Sequence, residues 1–160
     1  MEFNHFDEQG HAVMVDVSTK QPSLRIAVAA AEVRLSPALL LAIKTGGVAK
    51  GDVLGVARLA GIMAAKRTSE LIPLSHPLAI HSVTVDFEPD PTLQRIEIKC
   101  MVRSFERTGV EMEAMTGAAV AALTIYDMCK GSDKSISIGE IKLLYKEGGK
   151  SGVYRREERR

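Results

Sequence analysis

The chain has 160 residues, 46% of them apolar and 26% charged, with a formal charge of +1. That length suits one domain of about 100 to 200 residues, and the apolar share excludes disorder for most of the chain. With 21 basic against 20 acidic residues, no global field draws it onto nucleic acid or an anionic membrane, so any anion site must be local.

Residues 1–22 show no sustained period and carry Gly10 and Pro22, which predicts an irregular N-terminal arm. From Leu24 the chain alternates, with Ile26, Val28 and Ala30 on one face, then Val33 and Leu35 after a slip, as a strand does. Ser36-Pro37 is a helix start and Gly46-Gly47 its stop. Asp52 can cap a second helix running to about Arg67, with Val53, Val56, Leu59, Ala60 and Met63 as its apolar stripe and small residues that suggest close packing. Residues 68–78 read as a connection stiffened by Pro73 and Pro77.

Two strands follow, Ile80 to Phe87 and Leu93 to Val102, joined by the turn Glu88-Pro89-Asp90-Pro91. Cys100 alternates with Ile96, Ile98 and Val102, so it reads as a buried thiol used as a small hydrophobe, and its distance from Cys129 does not suit a metal site. A long helix is predicted from about Val110 to Cys129, interrupted only by Gly117. A last strand, Ser135 to Leu144, has a bulge expected at Gly139. The order is that of an α+β, ferredoxin-like βαββαβ fold with an extra helix in the first crossover. The expected organisation is an arm over 1–22, one catalytic domain over 23–146, and a flexible Gly/Lys loop with a charged, frayed tail over 147–160. No apolar stretch approaches the ~20 residues of a membrane span, and Met1 to His5 lack the opening of a secretion signal, so a cytoplasmic protein is expected.

Several residues could carry chemistry. Gly148-Gly149-Lys150-Ser151-Gly152 lacks the spacing and following helix of a nucleotide-binding loop, leaving a cationic loop in which Lys146 and Lys150 are available to anions. Lys50-Gly51-Asp52 at a helix entry suits either a phosphate or simple capping by Asp52. His76, outside every apolar period in a stiff loop, is either an acid, base or donor, or an exposed loop residue without a task. Glu111 and Glu113 at the start of the long helix either compensate its dipole or grip a donor-rich edge such as that of guanine. Asp127 and Lys130, three apart on one face, form an ion pair or an acid/base couple. A carboxylate is unfavourable near a helix C-terminus, which favours a functional role.

Taken in order, Lys50-Gly51-Asp52, Leu71-Ile72-Pro73-Leu74-Ser75-His76-Pro77-Leu78, Thr108-Gly109-Val110-Glu111-Met112-Glu113-Ala114, Leu123-Thr124-Ile125-Tyr126-Asp127-Met128-Cys129-Lys130 and Gly148 to Gly152 closely resemble the cyclic pyranopterin monophosphate synthase family, the second-step proteins of molybdenum cofactor biosynthesis. The resemblance begins at Met14-Val15-Asp16-Val17 and spans nearly the whole chain. It implies a lyase that rearranges 3′,8-cyclo-7,8-dihydroguanosine triphosphate to cyclic pyranopterin monophosphate with loss of diphosphate. It also implies a homohexamer, a trimer of dimers with interface sites. That chemistry needs proton shuttles and cations, so no cofactor is expected, and the balanced charge leads to no expectation of a membrane or nucleic-acid partner. By motif, Asp127 resembles the catalytic residue with Lys130 as its partner, and Leu74, Ser75, His76, Met112 and Glu113 the substrate-binding segments. Lys50, Thr108, Glu111, Lys146, Lys150, Asp16, Lys20 and Arg25 are implied to line the pocket. Ser75 stands where the family often has cysteine, so a thiol nucleophile there is not required. The competing readings are a nucleic-acid binder, for which seven Tyr and Phe and no Trp supply no stacking platform, and a ligand-binding regulatory module without catalysis.

Overall fold

A computed structural model describes residues 5–157. The first four residues of the expected arm, and Glu158 to Arg160 of the expected frayed tail, lie outside the described residues. Strand β1 (Ser23–Arg34) leads to helices α1 (Pro37–Thr45) and α2 (Val53–Ala65) and the single turn α3 (Thr68–Leu71). Then come β2 (Ile80–Asp90), β3 (Arg95–Glu106), α4 (Glu111–Cys129), β4 (Ser137–Glu147) and the two-residue β5 (Tyr154–Arg155). The sheet order is β2-β3-β1-β4-β5, and every neighbouring pair is antiparallel. The first four strands thus have the ferredoxin-like arrangement expected, with α2 and α4 packed together as the helix layer.

The caps behave as their residue types require. Ser36 Oγ accepts from the Leu39 amide at 3.4 Å, Asp52 accepts from the Gly55 amide at 2.8 Å, and α1 ends at Gly46. The 68–78 connection differs from expectation by containing α3. Here Thr68 is buried and returns its hydroxyl to the Ala65 carbonyl. The β2–β3 turn also lies further on than expected. Pro89 stays within β2, which is an edge strand and tolerates a residue that cannot donate to a ladder. Asp90 then caps the turn by accepting from the Thr92 and Leu93 amides. The bulge expected at Gly139 is present: the register on β1 slips between Ala30, opposite Lys142, and Glu32, opposite Gly139.

Two apolar rows differ from those expected, although Val33, Leu35 and Val53 are buried as expected. In β1 the core-facing row is Ala27, Ala29, Ala31 and Val33, continuous and without a slip, while Ile26 and Val28 occupy the other face. In α2 the buried row is Val53, Ala57, Gly61, Ala64 and Ala65, whereas Val56, Leu59 and Met63 are exposed, Leu59 at 62%. Both differences have one cause. The interior rows are made of small residues because the layers approach closely, and the larger aliphatics point away.

Helices α2 and α4 approach closely at Gly61. A Cβ there would lie 2.9 Å from the Gly117 carbonyl oxygen on α4, and one at Gly117 would lie 2.6 Å from Cys100 Sγ. Gly61→Ala gains about 1 kcal/mol of helix propensity, but overpacking a core costs about 1–3 kcal/mol, and the obstructing backbone carbonyl yields only if the helices separate. The variant is expected to unfold at lower urea concentration with an unchanged slope. A midpoint at or above that of the wild type would contradict this packing. Cys100, buried beneath the crossing, has its thiol pushed up to about 12 by burial, as befits the hydrophobe expected of it.

Candidate active site

The loop between β3 and α4 is the centre of two adjoining cavities. The larger, about 830 Å³, is lined by Lys20 from the arm, Arg25 from β1, Arg107, Thr108 and Glu111 around the α4 entry, and Lys146, Glu147, Gly149 and Lys150 from the end of β4 and its following loop. Its five basic and two acidic side chains give a local charge of +3 on a chain whose total is only +1. On a chain with so little net charge any anion site must be local, and this cavity is where basic side chains gather. Arg25 is buried, donating from Nε to the Glu106 carbonyl at 3.0 Å and from Nη2 to the Arg107 carbonyl at 3.1 Å, so it sets the backbone corner that presents Thr108. Lys146 pairs with Glu111 at 2.8 Å.

The smaller cavity, about 270 Å³, shares Lys20, Thr108 and Gly109 with the first and adds Leu74, Ser75, His76, Met112 and Glu113. His76 Nε2 donates to the Val15 carbonyl at 2.7 Å, which ties the arm to the Ser75–Pro77 loop and fixes the ring's tautomer. Asp16 does not line either cavity; its carboxylate accepts the Ser18 amide at 2.8 Å, and that bond holds its carboxyl below the ordinary range.

Asp127, Lys130 and Lys50 lie elsewhere in the chain's fold. Lys130 Nζ is 2.6 Å from Asp127 Oδ1, and Lys50 Nζ donates to the Asp127 backbone carbonyl at 3.0 Å. The Lys130 hydrogen bond and charge, assisted by Lys50, hold the Asp127 carboxyl below the ordinary range and raise the Lys130 ammonium above its own. Since α4 is continuous through Gly117, Glu113 and Asp127 are about 21 Å apart along it. Lys50 is therefore not grouped with Lys146 and Lys150 inside one chain.

A sequence model of the MoaC family matches residues 14–149. The chain belongs to the MoaC family. It is 77% identical over 158 residues to a cyclic pyranopterin monophosphate synthase of Pelobacter propionicus, covering 99% of both chains, and 74% identical to that of Trichlorobacter lovleyi with the same coverage. A more distant relative of the same name, from Nostoc, is 56% identical over 150 residues, 94% of this chain and 89% of its own.

Within this MoaC-family fold the two glutamates at the α4 entry differ sharply. Glu111 faces the larger cavity and its lysine, whereas Glu113 is only 3% exposed, and burial, helped by the Glu111 charge, raises its carboxyl to about 7. The ionised form is disfavoured in the folded state. The contribution of Glu113 to stability is therefore greatest below the ordinary carboxyl range and falls as pH rises from about 5 through 7, by an amount on the order of 3 kcal/mol. Glu113→Gln removes this dependence. It is expected to match the wild type at pH 5 and to exceed it in urea midpoint at pH 8, and an equal difference at both pH values would contradict the buried, protonated carboxyl.

Arg107, Thr19, Gln21, Ser23 and Glu147 also line the larger cavity and were not singled out in the sequence. Arg107 immediately precedes the Thr108 motif at the end of a strand, the one available signal. The residues at 19–23 carry no pattern of their own that marks them as part of a site.

Proposed function

We propose that this protein converts 3′,8-cyclo-7,8-dihydroguanosine triphosphate to cyclic pyranopterin monophosphate and diphosphate, as a cytoplasmic enzyme of molybdenum cofactor biosynthesis. The observation that carries the reading is the cavity of charge +3 opening beside the buried Glu113, whose carboxyl is raised to about 7, since a triphosphate joined to a purine-derived base needs cations at one end and hydrogen-bonding groups at the other. Lys20, Arg107, Lys146 and Lys150 receive the phosphates. Glu113, Ser75 and the loop of His76 receive the base.

The reaction opens a ring, recloses it and attacks a phosphate internally, with no net electron transfer. It needs proton movement and stabilisation of the departing diphosphate. The Asp127 carboxylate and the Lys130 ammonium are the groups available to take up and give a proton, and since each holds the other in its charged form, the pair has to part on the substrate before either transfers one. The cations of the larger cavity stabilise the diphosphate as it leaves.

The separation of about 21 Å between Glu113 and Asp127 on one unbroken helix leads us to place the complete site between two subunits. In this arrangement Glu113 and the anion cavity come from one chain, and Asp127, Lys130 and Lys50 from its two-fold neighbour. The exposed Val56, Leu59 and Met63 on α2 and Leu123 on α4 support an assembly that covers them, a homodimer within a trimer of dimers. On this reading the segments 1–22 and 147–160 serve the catalytic unit 23–146 directly, since Lys20 and Lys150 both line the cavity.

The test is turnover by the purified chain given the cyclised intermediate. Cyclic pyranopterin monophosphate and diphosphate should appear in equal amounts. Tight binding without turnover would instead make it a regulatory module.

A further inference from the structure

The segment after β4 was expected to be loose, yet it turns back on the sheet through β5. Tyr154 pairs with Lys146 and Arg155 with Tyr145, and the Arg155 guanidinium lies 4.8 Å from the centre of the Tyr145 ring. Arg156 then holds two successive β4 carbonyls, its amide donating to Leu144 at 2.8 Å and its Nε to Leu143 at 2.7 Å. These carbonyls sit at a second irregularity of β4. Val28 of β1 lies opposite Tyr145 and Ala29 opposite Leu143, so Leu144 is an extra residue in the ladder. Arg156 bonds to the strand where its pairing with β1 is disturbed.

Between these anchors runs the loop 148–153, which carries Lys150 and closes one side of the anion cavity. Gly148, Gly149 and Gly152 all have positive φ, and a Cβ on Gly149 would lie 1.9 Å from Arg25 Nη1, so the loop backbone rests directly against the buried guanidinium. A loop so rich in glycine has much conformational freedom to lose when its lysine engages a ligand, and fixing both its ends reduces that loss beforehand. Tyr145 links the same strap to the cavity wall, its hydroxyl donating to the carboxylate of Glu147.

We propose that residues 153–157 form a strap that positions the Gly148–Gly152 loop, and with it Lys150, over the anion cavity, with Arg156 as its positioning residue. The inference rests on the reading of that cavity as the triphosphate site. The Arg156 side-chain hydrogen bond goes to the Leu143 carbonyl, outside the lining of the anion cavity, so Arg156 acts through the loop it anchors.

The experiment compares Arg156→Ala, Arg156→Lys and Lys150→Ala as full-length proteins. Arg156→Ala should raise KM for the cyclised triphosphate about three- to tenfold with kcat within about twofold of wild type. It should also speed cleavage after Lys150 by a lysine-specific protease, with the thermal midpoint unchanged. Arg156→Lys, which retains a donor for the Leu143 carbonyl, should recover most of the KM. If Lys150→Ala raises KM while Arg156→Ala changes neither KM nor cleavage, the strap is wrong and the cavity reading stands. If Lys150→Ala itself leaves KM unchanged, the cavity reading falls, and the positioning role falls with it.

Discussion

Asp127→Asn is expected to lose more than about a hundredfold in turnover while keeping its fold and assembly, the scale of effect typical of a general acid or base. The amide matches the carboxylate in shape but cannot take up a proton, and it leaves Lys130 without the charge now 2.6 Å away. The side chain is 65% exposed and the Lys50 bond goes to the backbone carbonyl, so neither core packing nor that tether depends on the carboxylate. A lost reaction in a normally folded protein then reports chemistry rather than unfolding. Circular dichroism and sedimentation establish the second condition, and near-normal turnover by the purified variant would remove Asp127 from the mechanism.

Local signals were legible wherever a residue type has one strong reason to be where it is. Ser36 with Pro37, Asp52, and the Gly46 stop marked helix ends correctly, because capping depends on immediate neighbours. The orientation of β1 and α2 was not legible. A pattern search gives weight to Ile26, Val28, Val56, Leu59 and Met63, whereas the interior rows of these two elements are mostly alanines and glycine whose value lies in their small size. The same misreading is informative, for large aliphatics that face away from the core of one chain are candidates for burial against another.

The site divides in the same way. Asp127 with Lys130 could be found from spacing, since i and i+3 share a helix face. Their distance from Glu113 follows from helix length alone. Arg107, the arm residues near Lys20 and the returning strap around Arg156 could not be found this way, because long-range packing places them. The resemblance of motifs supplied Arg25 as a pocket residue. Its position adds the physical reason, a buried guanidinium fastening the Glu106 and Arg107 carbonyls at the cavity floor.

The shared-site arrangement is tested most directly by mixing two inactive chains, Glu113→Ala and Asp127→Asn. In a mixed two-fold dimer, one pocket receives Glu113 from the second chain and Asp127 from the first, both intact, while the other pocket receives both substitutions. Random pairing at equal amounts makes about half of the dimers mixed and about a quarter of all pockets complete. Activity should therefore return to about a quarter of the wild-type level, although neither parent has it. If mass spectrometry shows that subunits have exchanged and no activity returns, the pocket is not shared between Glu113 of one subunit and Asp127 of the other.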